Sequence, residues 1–76
     1  MMNLQRLKVD FNEREDIDLI EVREDWNAAY QELSLGEKVI LFDDEMEVAA
    51  LLNRGTYCHY VGKIDRETIR DLSFAD

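Results

Sequence analysis

Cys58 and His59 are the two side chains whose chemistry could support nucleophilic catalysis, and they are adjacent in the sequence. A reactive thiolate–imidazole pair needs both groups within hydrogen-bond reach. Neighbouring residues of a strand point to opposite faces of a sheet, so this adjacency predicts no catalytic dyad. We expect Cys58 to pack as a small apolar side chain.

Four carboxylates fall within five positions, at Asp43, Asp44, Glu45 and Glu47. A Ca²⁺ loop needs staggered oxygen ligands and usually a glycine to wrap them, whereas these carboxylates splay from a tight turn. Charges at such a turn discourage edge-to-edge pairing of strands. His59 is the only histidine, and no phosphate loop or zinc-ligand spacing is present. We therefore predict a protein that is not an enzyme and has no metal, cofactor or small-molecule substrate.

The chain has 76 residues, which predicts a single small globular domain over residues 1–76. A core of this size is modest, and domains like it often depend on a disulfide, a metal or association. Cys58 is the only cysteine, so an internal disulfide is excluded and a reducing, cytoplasmic location is favoured. The sequence contains no apolar run of about 18 residues, so no transmembrane helix is predicted. Association is the remaining way to stabilise the fold.

Acidic residues dominate one stretch of a chain whose net charge is −9. Residues 10–25 contain eight acids and two arginines. These acids, which we predict to form an acidic surface, are Asp10, Glu13, Glu15, Asp16, Asp18, Glu21, Glu24 and Asp25. A field of this sign repels nucleic acid and anionic membranes, so neither is expected as a direct partner.

Hydrophobic alternation places the strands. The stretch from Gln5 to Phe11 alternates apolar and polar residues, which predicts a half-buried strand. Residues 17–22 are compatible with a strand or with the first turns of a helix. Three further strands are predicted at 38–43, 46–53 and 56–64, joined by turns at 43–45 and 53–55. Gly55 is expected to supply a positive φ, and Gly62 to mark a bulge or a close backbone crossing.

One short helix is predicted between these strands. Asp25 is a candidate N-cap, and Gly36 is typical of the residue that follows a helix. Helical spacing puts Trp26, Ala29, Tyr30 and Leu33 on one stripe, which we expect to pack on the core. Near the C-terminus, Asp65 is expected to cap a helical turn over residues 66–72 with Ile69 and Leu72 facing inward, and residues 73–76 are expected to fray.

These elements predict an α+β domain, a small antiparallel β-meander with one short helix packed on it. An SH3-like partial barrel is one form that the meander could take. The strand Val39–Phe42 is apolar on both faces, so each face needs a cover. The helix stripe supplies one cover; the Gln5–Phe11 strand or a second chain supplies the other. The meander followed by Asp65–Leu72 resembles small stand-alone bacterial or phage accessory domains, a resemblance that implies no specific function.

The last strand carries the candidate partner-binding residues. Tyr57, His59 and Val61 are expected to share one of its faces, with Tyr60 on the other. Tyrosine is common at interfaces because it combines a large apolar ring with one polar group. The sequence therefore predicts a small acidic protein–protein interaction module, either a homodimer or a subunit that docks on a larger partner. The alternative is an acidic decoy that mimics nucleic acid and occupies a basic groove of a target protein.

Overall fold

The computed structural model describes residues 4–72, which form seven strands and two 3-10 turns. The strands are β1 (Gln5–Lys8), β2 (Arg14–Asp16), β3 (Leu19–Glu21), β4 (Lys38–Phe42), β5 (Met46–Arg54), β6 (Tyr60–Ile64) and β7 (Arg70–Asp71). The 3-10 turns are Ala28–Glu32 and Arg66–Thr68.

The strands form one mixed sheet in the order β1-β4-β5-β6-β3-β2, and β7 pairs with the first residues of β5. Strand β1 runs parallel to β4, whereas all other pairings are antiparallel. The predicted meander is confirmed as β4–β5–β6. The sequence did not reveal the parallel pairing of β1, and residues 17–22, left open between strand and helix, contain strand β3.

The sheet is curved but open. Strands β1 and β2 are its two edges, yet they are joined by residues 9–13 alone. Six steps of extended chain reach at most about 20–22 Å, whereas six flat strands span about 24 Å from edge to edge. The sheet therefore curls to bring its edges closer, although β1 and β2 do not pair with each other.

The core lies on the concave face of this sheet. Its most deeply buried side chains are Leu7, Val9, Ile20, Val22, Val39, Leu41, Val48 and Leu52. Gly62 is part of β6, where a Cβ atom would lie 2.6 Å from Leu41 Cδ1 and 3.2 Å from Ala50 Cβ. The bulge or backbone crossing predicted at Gly62 is therefore wrong, because β6 pairs there without a shift in register and neighbouring side chains fill the space above the glycine.

The predicted α-helix is wrong, because residues 25–36 form only the 3-10 turn Ala28–Glu32 and the rest of residues 4–72 contains no α-helix. A single turn gains too few hydrogen bonds to offset helix nucleation. Tyr30 and Leu33 are buried as expected, but Trp26 is 40% exposed. Asp25 is not the N-cap; that position is Asn27, and Asp25 forms an ion pair with Arg23 at 2.8 Å.

The glycine at position 36 has a φ of +84°, so its predicted conformational role is confirmed even though no α-helix precedes it. Its N–H donates to the carbonyl of Leu52 at 2.7 Å. This bond ties the loop before β4 to the end of β5. A side chain at position 36 would have open space but a strained backbone.

The second 3-10 turn begins as predicted, with the Asp65 carboxylate accepting the N–H of Glu67 at 3.1 Å. It ends at Thr68, and the chain then returns as β7. Ile69 is 43% exposed, so the inward position predicted for it is wrong. The fraying predicted for residues 73–76 lies outside the described part of the chain. Neither 3-10 turn, nor any other segment between residues 4 and 72, is a helix of the length and apolarity that crossing a bilayer requires.

Candidate functional site

The hairpin loop between β5 and β6, residues 55–59, carries two of the candidate partner-binding residues. Strand β6 begins at Tyr60, so the strand face predicted for Tyr57, His59 and Val61 is wrong. Gly55 does not have a positive φ. It is instead required by close packing, because a Cβ there would meet the carbonyl oxygen of Cys58 and lie 2.9 Å from its Sγ.

Glu15 of strand β2 fixes this loop in place. Its two carboxylate oxygens accept the N–H groups of Thr56 at 2.8 Å and Tyr57 at 2.7 Å. Two successive backbone N–H groups form a small concave site for an anion. The bonds from Tyr57 and then Thr56 hold the pKa of Glu15 below its usual value. An acid from the predicted acidic surface thus has a local structural role, since it ties β2 to a loop 41 residues away.

Cys58 lies behind the same carboxylate. Its Sγ donates to the carbonyl of Tyr60 at 3.0 Å and lies 3.8 Å from Glu15. Burial, followed by the charge of Glu15, raises the pKa of the thiol. Ligand-type atoms of Glu15, Glu21 and Cys58 lie within 4.8 Å of one another. Both oxygens of Glu15 already accept N–H groups, and metal binding would require a thiolate at Cys58, so this arrangement suits loop closure better than metal coordination.

Tyr60 links the loop to the core. Its hydroxyl donates to the carbonyl of Leu33 at 2.8 Å, and its ring meets that of Tyr30 edge to face at 5.4 Å. Val61, next along β6, is 1% exposed and does not line the groove. Tyr60 is therefore half-buried and mainly supports the loop, although part of its side chain is accessible to a partner. Val61 is too buried to contact a partner.

A groove of about 650 Å³ opens between loop 55–59 and the segment that contains the first 3-10 turn. Tyr57, His59 and Tyr60 line it together with Arg54 and Leu35. Tyr57 is 85% exposed, the largest value among the big apolar side chains of residues 4–72, and Leu35 is 53% exposed. Three of the four sequence candidates thus surround one concave surface.

Leu35 and Arg54 are groove residues that the sequence reasoning missed. Leu35 lies between Ser34 and Gly36, outside any apolar periodicity. An isolated apolar residue in a polar loop was the signal that could have marked it. Arg54 was assigned to a turn, whereas it is the last residue of β5 and lies opposite Tyr60.

The eight acids of residues 10–25 do not form one free surface. Glu13 and Asp25 both pair with Arg23, and Asp18 pairs with Arg66 at 2.8 Å. The hydrogen bond from Arg23 lowers the pKa of Asp25. Others accept hydrogen bonds within the chain: Asp10 from Asn12 N, Asp16 from Ile17 N and Glu24 from Gln31 Nε2. Much of the acidity is therefore engaged locally.

The carboxylates of the β4–β5 turn are also used within the fold. Asp43 accepts the N–H groups of Glu45 at 2.7 Å and Met46 at 2.9 Å, which shapes the turn. Glu47 bridges Arg6 and Arg70 at 2.9 and 3.3 Å. These contacts join the central strand to both of its flanks.

Comparison of the chain with protein-family models, with curated proteins and with solved structures finds no match.

Proposed function

We propose that this protein is a non-enzymatic protein–protein interaction module that binds its partner in the groove beside loop 55–59. The observation that carries the proposal is the 85% exposure of Tyr57 at the rim of a concave surface. An exposed tyrosine offers a large contact area with little conformational entropy to lose, which is why tyrosine recurs in binding surfaces.

The loop that presents Tyr57 is rigidly held, which favours binding. Glu15 fixes two of its N–H groups, and Tyr60 fixes its far end through Leu33. A preorganised surface loses less free energy on association than a mobile loop does.

The chemistry of the groove indicates what the partner presents. Tyr57 and Leu35 offer apolar contact, and Arg54 makes no ion pair with the rest of residues 4–72. The partner is therefore a protein segment with an apolar side chain for Tyr57 and Leu35 and a carboxylate for Arg54. A cytoplasmic location, favoured by the single cysteine, is part of the same proposal.

The test is affinity capture with quantitative mass spectrometry, repeated with matched variants. A partner retained by the wild type and by Ile17→Ser, but lost with Tyr57→Ser and Arg54→Glu, would support the proposal. Ile17 is a suitable control because it is 60% exposed and lies in the β2–β3 turn, away from the groove. Capture that is the same for all four proteins would contradict it.

The acidic decoy is the alternative proposal, and it has less support. A nucleic-acid mimic needs rows of carboxylates free to meet basic side chains. Glu13, Asp18 and Asp25 are paired with arginines of this chain, and Glu15 is committed to loop 55–59. Capture that falls steeply with salt and is unaffected by Tyr57→Ser would favour the decoy.

A further inference from the structure

The convex face of the sheet, opposite the core, carries three residues in one cross-strand row. Lys38 lies directly opposite Leu51, and Leu51 directly opposite Lys63. Residues that pair in this way project from the same face with Cβ atoms about 5 Å apart. Leu51, which is 48% exposed, therefore stands between two ammonium groups. We call these three residues the outer row.

The surface beside the outer row carries two half-buried apolar side chains, Ile40 and Phe42, and the Arg6 guanidinium lies 4.8 Å from the Phe42 ring. Ile40 lies opposite Ala49 in the adjacent row, and Phe42 follows on the same face. This is the second apolar face noted in the sequence of β4, and the protein itself covers it only in part. Ala49 is shielded beside the second 3-10 turn, where its N–H donates to Thr68 Oγ1 at 2.9 Å, while Ile40 and Phe42 stay half-buried.

The charges beside the outer row balance. A groove of about 580 Å³ is lined there by Lys38, Lys63 and Arg66 and by Asp18, Asp65 and Glu67, so it has no net charge. Of these six, Arg66 and Asp18 pair with each other at 2.8 Å. Lys38, Lys63 and Glu67 form no ion pair with any residue from 4 to 72. This neutral area belongs to a chain whose net charge is −9.

The exposed leucine and the balance of positive and negative side chains both suit a two-fold symmetric interface. In a symmetric dimer the same area meets itself, so it must carry charges of both signs in complementary positions. Elsewhere the negative charge of two copies opposes contact. The balanced charges beside the outer row avoid that repulsion, and an exposed leucine gains from burial.

We propose that the outer row is the centre of a homodimer interface in which a second copy of this chain covers the convex face of the sheet. Leu51 packs on the outer row of the second copy, and Lys38 and Lys63 pair with Glu67 of that copy. The interface lies apart from the groove at loop 55–59, since the two surfaces share no lining residue. Dimerisation thus adds to the proposed function and does not depend on it.

The first test is sedimentation equilibrium of the full chain between about 1 μM and 1 mM, a range that brackets weak and moderate association. The wild type is expected to dimerise reversibly. Leu51→Ser is expected to raise the dissociation constant roughly tenfold to a hundredfold, because a leucine loses its burial in each copy. Ile17→Ser removes an exposed apolar side chain that does not line this groove and should leave the constant unchanged.

The second test exchanges charges. Lys63→Glu and Glu67→Lys each make the area repel its own copy, so each variant alone should be a monomer. Mixed together, the two should form a heterodimer, because their areas are then opposite in charge. Thermal melting verifies that each exposed-site variant is folded. A wild type that stays monomeric at about 1 mM, a dimer that Leu51→Ser does not weaken, or folded charge variants that fail to pair would overturn the proposal.

Discussion

The side-chain amide of Asn27 pairs with the backbone of Lys8 as another strand would. Asn27 Oδ1 accepts the Lys8 N–H at 2.7 Å, and Asn27 Nδ2 donates to the Lys8 carbonyl at 3.0 Å. The same Nδ2 donates to the carbonyl of Arg23 at 2.8 Å. Asn27 is 8% exposed and is the buried polar residue of the described chain. Asn27 thus occupies the N–H and C=O of Lys8 at the end of edge strand β1. Left unpaired, these backbone groups could hydrogen-bond to a strand of another chain.

Replacement of Asn27 by alanine should destabilise the protein by about 2–3 kcal/mol, because buried backbone groups lose their partners. Urea denaturation measures the loss. Asn53→Ala is the matched control, since Asn53 is exposed and its side chain makes no hydrogen bond with residues 4–72. If Asn27→Ala were as stable as the control, water would form hydrogen bonds to the Lys8 N–H and C=O as effectively as Asn27 does.

The packing of Leu41 over Gly62 predicts a coupled pair of substitutions. Gly62→Ala should cost about 1–3 kcal/mol through overpacking, since its new methyl group meets Leu41 Cδ1. Leu41→Val shortens that side chain, so the double variant should be more stable than the sum of the single losses predicts. A double-mutant cycle from denaturation curves measures the coupling, and strict additivity would argue against the contact.

Loop 55–59 should loosen at low pH. The pKa of Glu15 lies below its usual value of 4.5, so its ionised form stabilises the fold above about pH 4.5 and this stabilisation is lost as the pH falls through the lowered pKa. The protection factors of the Thr56 and Tyr57 N–H groups, measured by NMR hydrogen exchange relative to the intrinsic rate at each pH, should fall over that range. In Glu15→Gln these two N–H groups should have low protection factors at every pH. Equal protection of both N–H groups in wild type and variant would refute the role of Glu15.

Trp26 should contribute little to stability despite its size. Its ring is 40% exposed and is flanked by Arg23 at 4.4 Å and Lys8 at 5.8 Å. Exposed cation–π contacts contribute about 0.5–1 kcal/mol, so Trp26→Ala should cost about 1 kcal/mol. Tyr30→Ala, at a buried ring, should cost about 3–5 kcal/mol. If thermal melting showed similar losses of stability for the two variants, Trp26 would be part of the core, as the sequence predicted.

The local pattern of residues accounts for much of the sheet. Alternation and turn residues located β4, β5 and the Asp43–Glu45 turn within one residue of their observed bounds, because a hairpin forms between neighbours in sequence. Tyr57, His59 and Tyr60, which line the groove, were selected from their residue types, but the strand face predicted for Tyr57 and His59 was wrong because β6 begins only at Tyr60. The prediction of a helix over residues 25–36 was wrong. Apolar spacing does not show whether a helix is long enough to be stable, and a single turn forms too few hydrogen bonds to offset the free-energy cost of nucleation.

The order and pairing of the strands and the contacts that fix the loops depend on residues far apart in the sequence. The sequence by itself predicted strands at 5–11, 38–43 and 46–53, which the structure shows at 5–8, 38–42 and 46–54. It also showed that β4 is apolar on both faces, since side-chain alternation is a local property. Only the tertiary structure decided that β1 runs parallel to β4, that Glu15 holds loop 55–59, that Asn27 closes an edge, and that Leu51 stands between Lys38 and Lys63. Each of these depends on the register in which strands from separate parts of the sequence pair. That register is fixed by the whole buried face at once, so it leaves no trace in any one segment.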